Sequence, residues 1–205
     1  DGDGVLDLYL TDQGGSNHLF LGRGDGTFQP APGPLADPVT MAGSASGAAT
    51  FVDYDNSGRP SLLVLTEHGP RLFRNEGGRS FADVTEAAGL VDDGKGETAS
   101  WADFDGDGDL DLFVANYGCQ PCSLQNRPPY DLGHAKLFRN DGDGTFEDRT
   151  DLLEGIEGVQ AMSFVGVWID ADDDGDPDLL VANDTRGADL TGEPSALTPG
   201  NVLIR

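Results

Sequence analysis

The sequence predicts an all-β fold on three observations. Apolar residues fall in runs of four to seven, rich in Val, Leu, Phe and Trp, and Gly, Asp and Asn turns separate the runs. Helical periodicity is nearly absent, and Asp83-Val-Thr-Glu-Ala-Ala-Gly-Leu90 allows at most one helical turn. One unit also recurs: Trp101-Ala-Asp-Phe-Asp-Gly-Asp-Gly-Asp-Leu-Asp-Leu-Phe-Val-Ala-Asn116 is echoed by Trp168-Ile-Asp-Ala-Asp-Asp-Asp-Gly-Asp-Pro-Asp-Leu-Leu-Val-Ala-Asn183 and by Phe51-Val-Asp-Tyr-Asp-Asn-Ser-Gly-Arg-Pro-Ser-Leu-Leu-Val-Leu-Thr66. The opening Asp1-Gly-Asp-Gly-Val-Leu-Asp-Leu-Tyr-Leu-Thr11 is the same unit entered part-way through its acidic loop, which makes four copies.

Each copy leads, after a variable loop, to a second signature: Asn17-His-Leu-Phe-Leu-Gly22, Arg71-Leu-Phe-Arg-Asn75, Lys136-Leu-Phe-Arg-Asn140 and Asn201-Val-Leu-Ile-Arg205. The first three continue into a Gly-rich turn and a further short strand, at Gly24-Asp-Gly-Thr-Phe28, Glu76-Gly-Gly-Arg-Ser-Phe81 and Asp141-Gly-Asp-Gly-Thr-Phe146. The fifth position of the acidic loop falls at Asp3, Ser57, Asp107 and Asp174, intervals of 54, 50 and 67 residues. A unit of that size reads as four short antiparallel strands, placed in the third copy near 98–103, 110–115, 135–140 and 145–150. Four-stranded units in tandem predict a β-propeller segment of about four blades, with a solenoid as the alternative. The expected blades are 1–30, 48–85, 98–150 and 162–205, all within one propeller fragment. The first strand of the first blade and the last strand of the fourth are missing on this count, so the chain reads as a piece of a larger ring.

The acidic loops carry the chemistry. The third copy offers Asp103, Asp105, Asp107, the carbonyl of Asp109, and Asp111 in a D-x-D-x-D-G-x-x-D pattern. Ca²⁺ takes six to eight oxygens, and carboxylates at positions 1, 3, 5 and 9 with a carbonyl at 7 can wrap it. Gly at position 6 permits the bend. Position 9 leads into an apolar strand rather than a helix, so the loop belongs to a hairpin and not to an EF-hand. The fourth copy is complete, with Asp170, Asp172, Asp174, the carbonyl of Asp176, and Asp178. The first supplies Asp1, Asp3, the carbonyl of Val5, and Asp7. The second keeps Asp53 and Asp55 but has Ser57, Arg59 and Ser61 at positions 5, 7 and 9, and is expected to bind weakly or not at all. Gly24-Asp-Gly26 and Asn140-Asp-Gly-Asp-Gly144 lack a closing acid and read as plain hairpin turns.

Asp and Glu number 37 against 12 Lys and Arg, a formal net charge of −25, which argues against nucleic acid or an anionic membrane as partner. No apolar run reaches the ~18 residues of a membrane span. Asp1-Gly2-Asp3-Gly4 carries no basic or apolar signal region, but the chain begins within a repeat, so compartment is read from chemistry. Cys119 and Cys122 form C-x-x-C in a Pro-, Asn- and Gly-rich loop, and a local disulfide is expected over a redox or metal pair.

Catalytic signatures are lacking. Serines stand outside any nucleophile elbow, and no Gly-rich phosphate loop precedes a helix. His18, His68 and His134 each lie just before the third strand of a blade, which suggests a packing or rim role. Strand order puts the acidic loops on one face and the longest insertions, 117–134 and 184–200, on the other, where Arg127, Tyr130 and His134 sit. Variable loops on a rigid scaffold usually carry recognition. The expected function is a binding, adhesion or scaffolding module for a protein or glycan; part of a secreted polysaccharide lyase or hydrolase is the alternative.

On the acidic loops and the Leu-Phe-Arg-Asn segments, the chain resembles the FG-GAP/VCBS repeats of integrin α-chains and many secreted bacterial proteins. Asp83-Val-Thr85 and Asp148-Arg-Thr150 after those segments resemble the cartilage-acidic-protein (ASPIC/UnbV-associated) branch. The resemblance covers nearly the whole chain. It implies a ring, commonly of seven blades, with structural Ca²⁺ between the first two strands of a blade, further blades as neighbours, and an extracellular, cell-surface or periplasmic setting. A literal Phe-Gly…Gly-Ala-Pro element is absent, and the second loop departs from the pattern.

Overall fold

The computed structural model describes residues 1–119, 135–154, 163–183 and 202–204. Their strands form four antiparallel sheets in which chain neighbours pair, the arrangement of a partial β-propeller. The first sheet is β1 (Leu8–Leu10), β2 (His18–Gly22) and β3 (Phe28–Pro30). The second is β4 (Ser46–Val52), β5 (Ser61–Thr66), β6 (Gly69–Asn75) and β7 (Phe81–Asp83). The third is β8 (Gly94–Ala102), β9 (Asp111–Cys119), β10 (Lys136–Asn140) and β11 (Phe146–Asp148). The fourth is β12 (Ser163–Ile169), β13 (Asp178–Asn183) and β14 (Val202–Ile204). The acidic loops precede β1, β5, β9 and β13.

The central strands are apolar throughout because both faces of their sheets are covered. Successive strand residues point to opposite faces. In β5, Leu62 and Val64 join Leu19, Leu21 and Phe81 between the first two sheets, while Leu63 and Leu65 pack with Leu112, Val114 and Phe138 between the second and third. In β9, Phe113 and Ala115 turn the other way and meet Leu179 and Val181 of the fourth sheet. Gly166 makes that last approach possible, since a Cβ there would lie 2.3 Å from the Phe113 ring. Aromatic residues extend the stacking: Phe104 lies parallel to Trp168 at 6.2 Å, and Phe146 lies 5.8 Å from Tyr54 and 6.2 Å from Trp101.

The outer faces of the end sheets are open. Val167, Leu180 and Leu203 face one another across β12, β13 and β14 and are each more than a third exposed. Leu6, Leu10 and Phe28 are exposed at the other end.

Three local differences from the sequence expectation stand out. β8 and β9 run longer than expected, with Gly94 paired to Cys119 through two register irregularities. Gly96 allows this, because it packs against the Leu65 side chain at a distance where a Cβ would be tight. The Pro-rich stretch after β3 is not a bare loop: α1 (Gly33–Ala36) and a 3-10 turn at Asp37–Val39 drop Leu35 and Val39 into the core beside β2. A second 3-10 turn, Thr150–Leu153, buries Leu153 after β11. Arg127, Tyr130, His134, Cys122 and the 184–200 insertion lie outside the described residues, and with them the Cys119–Cys122 pairing.

Candidate metal centres

The four acidic loops share one backbone form. Positions 4 and 6 are left-handed in every copy: Gly2 and Gly4 (φ 90° and 84°), Asn56 and Gly58 (52° and 76°), Gly106 and Gly108 (76° and 96°), Asp173 and Gly175 (61° and 96°). Gly, Asn and Asp are the residues that visit this region at low cost. The chain therefore coils tightly, and the position 1 carboxylate accepts the position 6 N–H: Gly108 to Asp103 at 2.9 Å, Gly175 to Asp170 at 3.1 Å, Gly58 to Asp53 at 2.9 Å.

Coiling converges the acids. Carboxylate oxygens of Asp103, Asp105 and Asp111 lie within 4.8 Å of one another in the third loop, as do those of Asp170, Asp172 and Asp174 in the fourth. Two expected ligands stand apart from these sets. Asp107 accepts the Asp109 N–H at 2.9 Å, and Asp178 accepts the Ala171 N–H at 2.8 Å. Asp109 and Asp176 enter the pattern through their carbonyls. In the first loop Asp1 and Asp3 accept the N–H groups of Asp3 and Val5, and Asp7 accepts that of Gly22. Neither the first nor the second loop forms a converged set among the described residues.

Position 9 is where the two signatures of each repeat join. Asp111 is fully buried; its carboxylate accepts the N–H of Phe104 at 2.9 Å and that of Asn140, the last residue of β10, at 2.7 Å. Ser61 accepts from Asn75 at 3.2 Å, and Asp7 from Gly22 at 3.0 Å, at the same place in their sheets. Burial pushes the Asp111 carboxyl up to about 6, against the two N–H bonds and with a further upward push from Asp105 and Asp107. Among the described residues no Lys or Arg ion pair reaches Asp103, Asp105, Asp107 or Asp111; Arg139 is taken by Asp141 and Glu147. The donor set is thus all oxygen and negatively charged, with no Lys or Arg ion-paired to it among the described residues, which fits a hard divalent ion.

The plain turns behave differently. Asp25 and Asp143 each accept the N–H and hydroxyl of the Thr two residues on, so their oxygens are used locally. Asn75 and Asn140 carry little signal in the sequence beyond the repeated Asn that ends Leu-Phe-Arg-Asn.

The opposite face carries an open cleft of about 850 Å³ lined by His68, Arg71, Asp83, Glu86, Leu90 and Asp92. Arg71 pairs with Asp83 there. Burial raises the Asp92 carboxyl, although it accepts from Asn116 Nδ2 at 3.0 Å and Gly94 N–H at 2.9 Å.

A model of the FG-GAP-like repeat matches residues 1–64 and again 53–114. Cartilage acidic protein 1 of Homo sapiens is 26% identical over 211 residues, covering 95% of this chain, and the chain spans 28% of that protein's length. A solved Agrocybe aegerita lectin, described as specifically recognising non-reducing terminal N-acetylglucosamine, is 20% identical with a TM-score of 0.44, over 89% of this chain and 48% of its own. With its repeats matched in tandem over more than half its length, the chain belongs to the FG-GAP-like repeat family.

Proposed function

We propose that this chain is a calcium-stabilised extracellular binding or scaffolding module. Its blades, 1–30, 48–85, 98–150 and 162–205, belong to a larger ring whose neighbours cover the open outer faces at Leu180 and Leu10. The observation that carries the reading is the convergence of Asp103, Asp105 and Asp111, and of Asp170, Asp172 and Asp174, each set within one short coiled loop. Asp107, Asp178 and the carbonyls of Asp109 and Asp176 complete the proposed ligand sets; Asp1, Asp3, Asp7 and the Val5 carbonyl form a third. Calcium supplies charge neutralisation and tethers the first strand of a blade to the second. Extracellular modules work at ~10⁻⁴–10⁻³ M affinity, which suits exposed loops built from a single short segment.

Recognition of a protein or glycan is assigned to the face opposite the acidic loops, which carries the cleft beside His68. Among the described residues no helix is long and apolar enough to cross a membrane. Calorimetric titration with Ca²⁺ tests the metal reading: Asp105→Ala and Asp174→Ala should each remove about one site, and unchanged stoichiometry in both would reject it. Calcium-loaded full-length protein on glycan and extracellular-protein arrays tests the recognition reading, which fails if neither class is retained.

A further inference from the structure

The second loop lacks the position 5 and position 9 carboxylates, yet it holds the same coiled backbone as the third. Two amide side chains bind it to its neighbour. Asn140, fully buried at the end of β10, donates from Nδ2 to the Tyr54 carbonyl in the second loop at 2.7 Å and to the Leu110 carbonyl in the third at 3.1 Å. Its own N–H goes to Asp111, and its Oδ1 accepts the Gly142 N–H at 3.1 Å. Asn56, at position 4 of the second loop, donates from Nδ2 to Asp109 Oδ1 at 2.6 Å. Positions 7, 8 and 9 of the third loop are therefore each hydrogen-bonded to one of these two residues.

We propose that the second loop is shaped by calcium it does not itself bind: an ion in the third loop fixes Asp109, Leu110 and Asp111, and through Asn140 and Asn56 this orders residues 53–58 of the adjacent blade. The inference rests on the calcium reading of the third loop. Coupling between two sites is reciprocal, so Asn140 and Asn56 are also positioning residues for the third site. Asn75 makes a similar bracket inside its own blade, donating to the Pro60 carbonyl at 3.0 Å and accepting the Gly78 N–H at 2.7 Å. The cross-blade bond to Tyr54 is what turns the bracket at Asn140 into a link.

The experiment is hydrogen exchange of the full-length protein, read in peptides covering 53–60, with Ca²⁺ alone and with chelator. Calcium should slow exchange there about fivefold or more, the lower end of ordinary coupling. The slowing should vanish in Asp105→Ala and survive in Asp172→Ala. Asn56→Gly, an exposed change that keeps the left-handed backbone and deletes the donor, should weaken the third site about fivefold in calorimetry while the fourth keeps its affinity; Asn140→Ala should do the same where it folds. If the third loop binds calcium but 53–60 exchanges at one rate in both conditions, or if the slowing persists in Asp105→Ala, the coupling is overturned while the metal reading stands. If wild type binds no calcium at the third loop, the metal reading itself falls.

Discussion

Asp92 is the residue at which burial works against charge. It lies in the β7–β8 connection against Asn116, and desolvation raises its carboxyl above the usual carboxylate range despite the bonds from Asn116 and Gly94. A raised folded-state value means that the folded protein binds the proton more tightly than the unfolded chain does. Stability from this group is then present at low pH and is lost as pH rises from the ordinary carboxylate range through the raised value. Asp92→Asn removes that titration. Urea unfolding in chelator at pH 4 and pH 7 should find wild type gaining on the variant at the lower pH; a constant difference between the two would show that Asp92 ionises as freely folded as unfolded. Asp111 is buried too, but it sits among the proposed metal ligands, where calcium would govern its charge.

At the scale of the strand, Asp83-Val-Thr85 and Asp148-Arg-Thr150 prove to be clamps. Asp83 accepts the N–H and hydroxyl of Thr85 at 3.1 and 2.7 Å and pairs with Arg71, and Thr85 Oγ1 accepts the Leu72 N–H at 2.9 Å. Asp148, Thr150, Lys136 and Leu137 repeat the pattern one blade later. Each clamp ties the end of a fourth strand to the start of the third. Thr85→Val keeps the shape and deletes the acceptor for a buried N–H, so it should cost about 1–3 kcal/mol, read as a fall in the urea midpoint at unchanged slope; a midpoint within error of wild type would deny the clamp. The repeats made the strands legible, because Leu62–Leu65 and Leu112–Ala115 are apolar on both faces only if sheets lie on either side. The left-handed turns at positions 4 and 6 were also readable, since Gly, Asn and Asp occupy them in every copy. The bracket at Asn140 was not, as its partner Tyr54 is 86 residues away and only the packing of two blades brings them together. The α1 segment was not legible for a related reason: it lies between two repeats, is interrupted by Pro32, Pro34 and Pro38, and is held by Leu35 and Val39 entering a core built by distant strands.

For the whole molecule, the charge balance decides the response to calcium. Of the −25 formal charges, the converged carboxylates lie within 4.8 Å of one another, where a like pair repels by between about 1 and about 4 kcal/mol depending on how much water screens it. A Ca²⁺ held as proposed would cancel two of these charges and draw together the carboxylates of a loop that joins two strands. An ion that binds only the folded chain stabilises it by mass action, about 2.7 kcal/mol per site at a hundredfold excess over its dissociation constant. Two such sites in a domain of this length should raise the melting temperature by roughly 10–20 °C. Sodium chloride relieves the repulsion but supplies no coordination, so added salt should recover only a small part of what chelation removes. Thermal unfolding with millimolar Ca²⁺, with excess chelator, and with chelator plus high NaCl separates the two effects. Full recovery by salt would make the loops ordinary acidic turns relieved by screening. Coincident melting in calcium and chelator would remove the metal from the stability of the blades altogether.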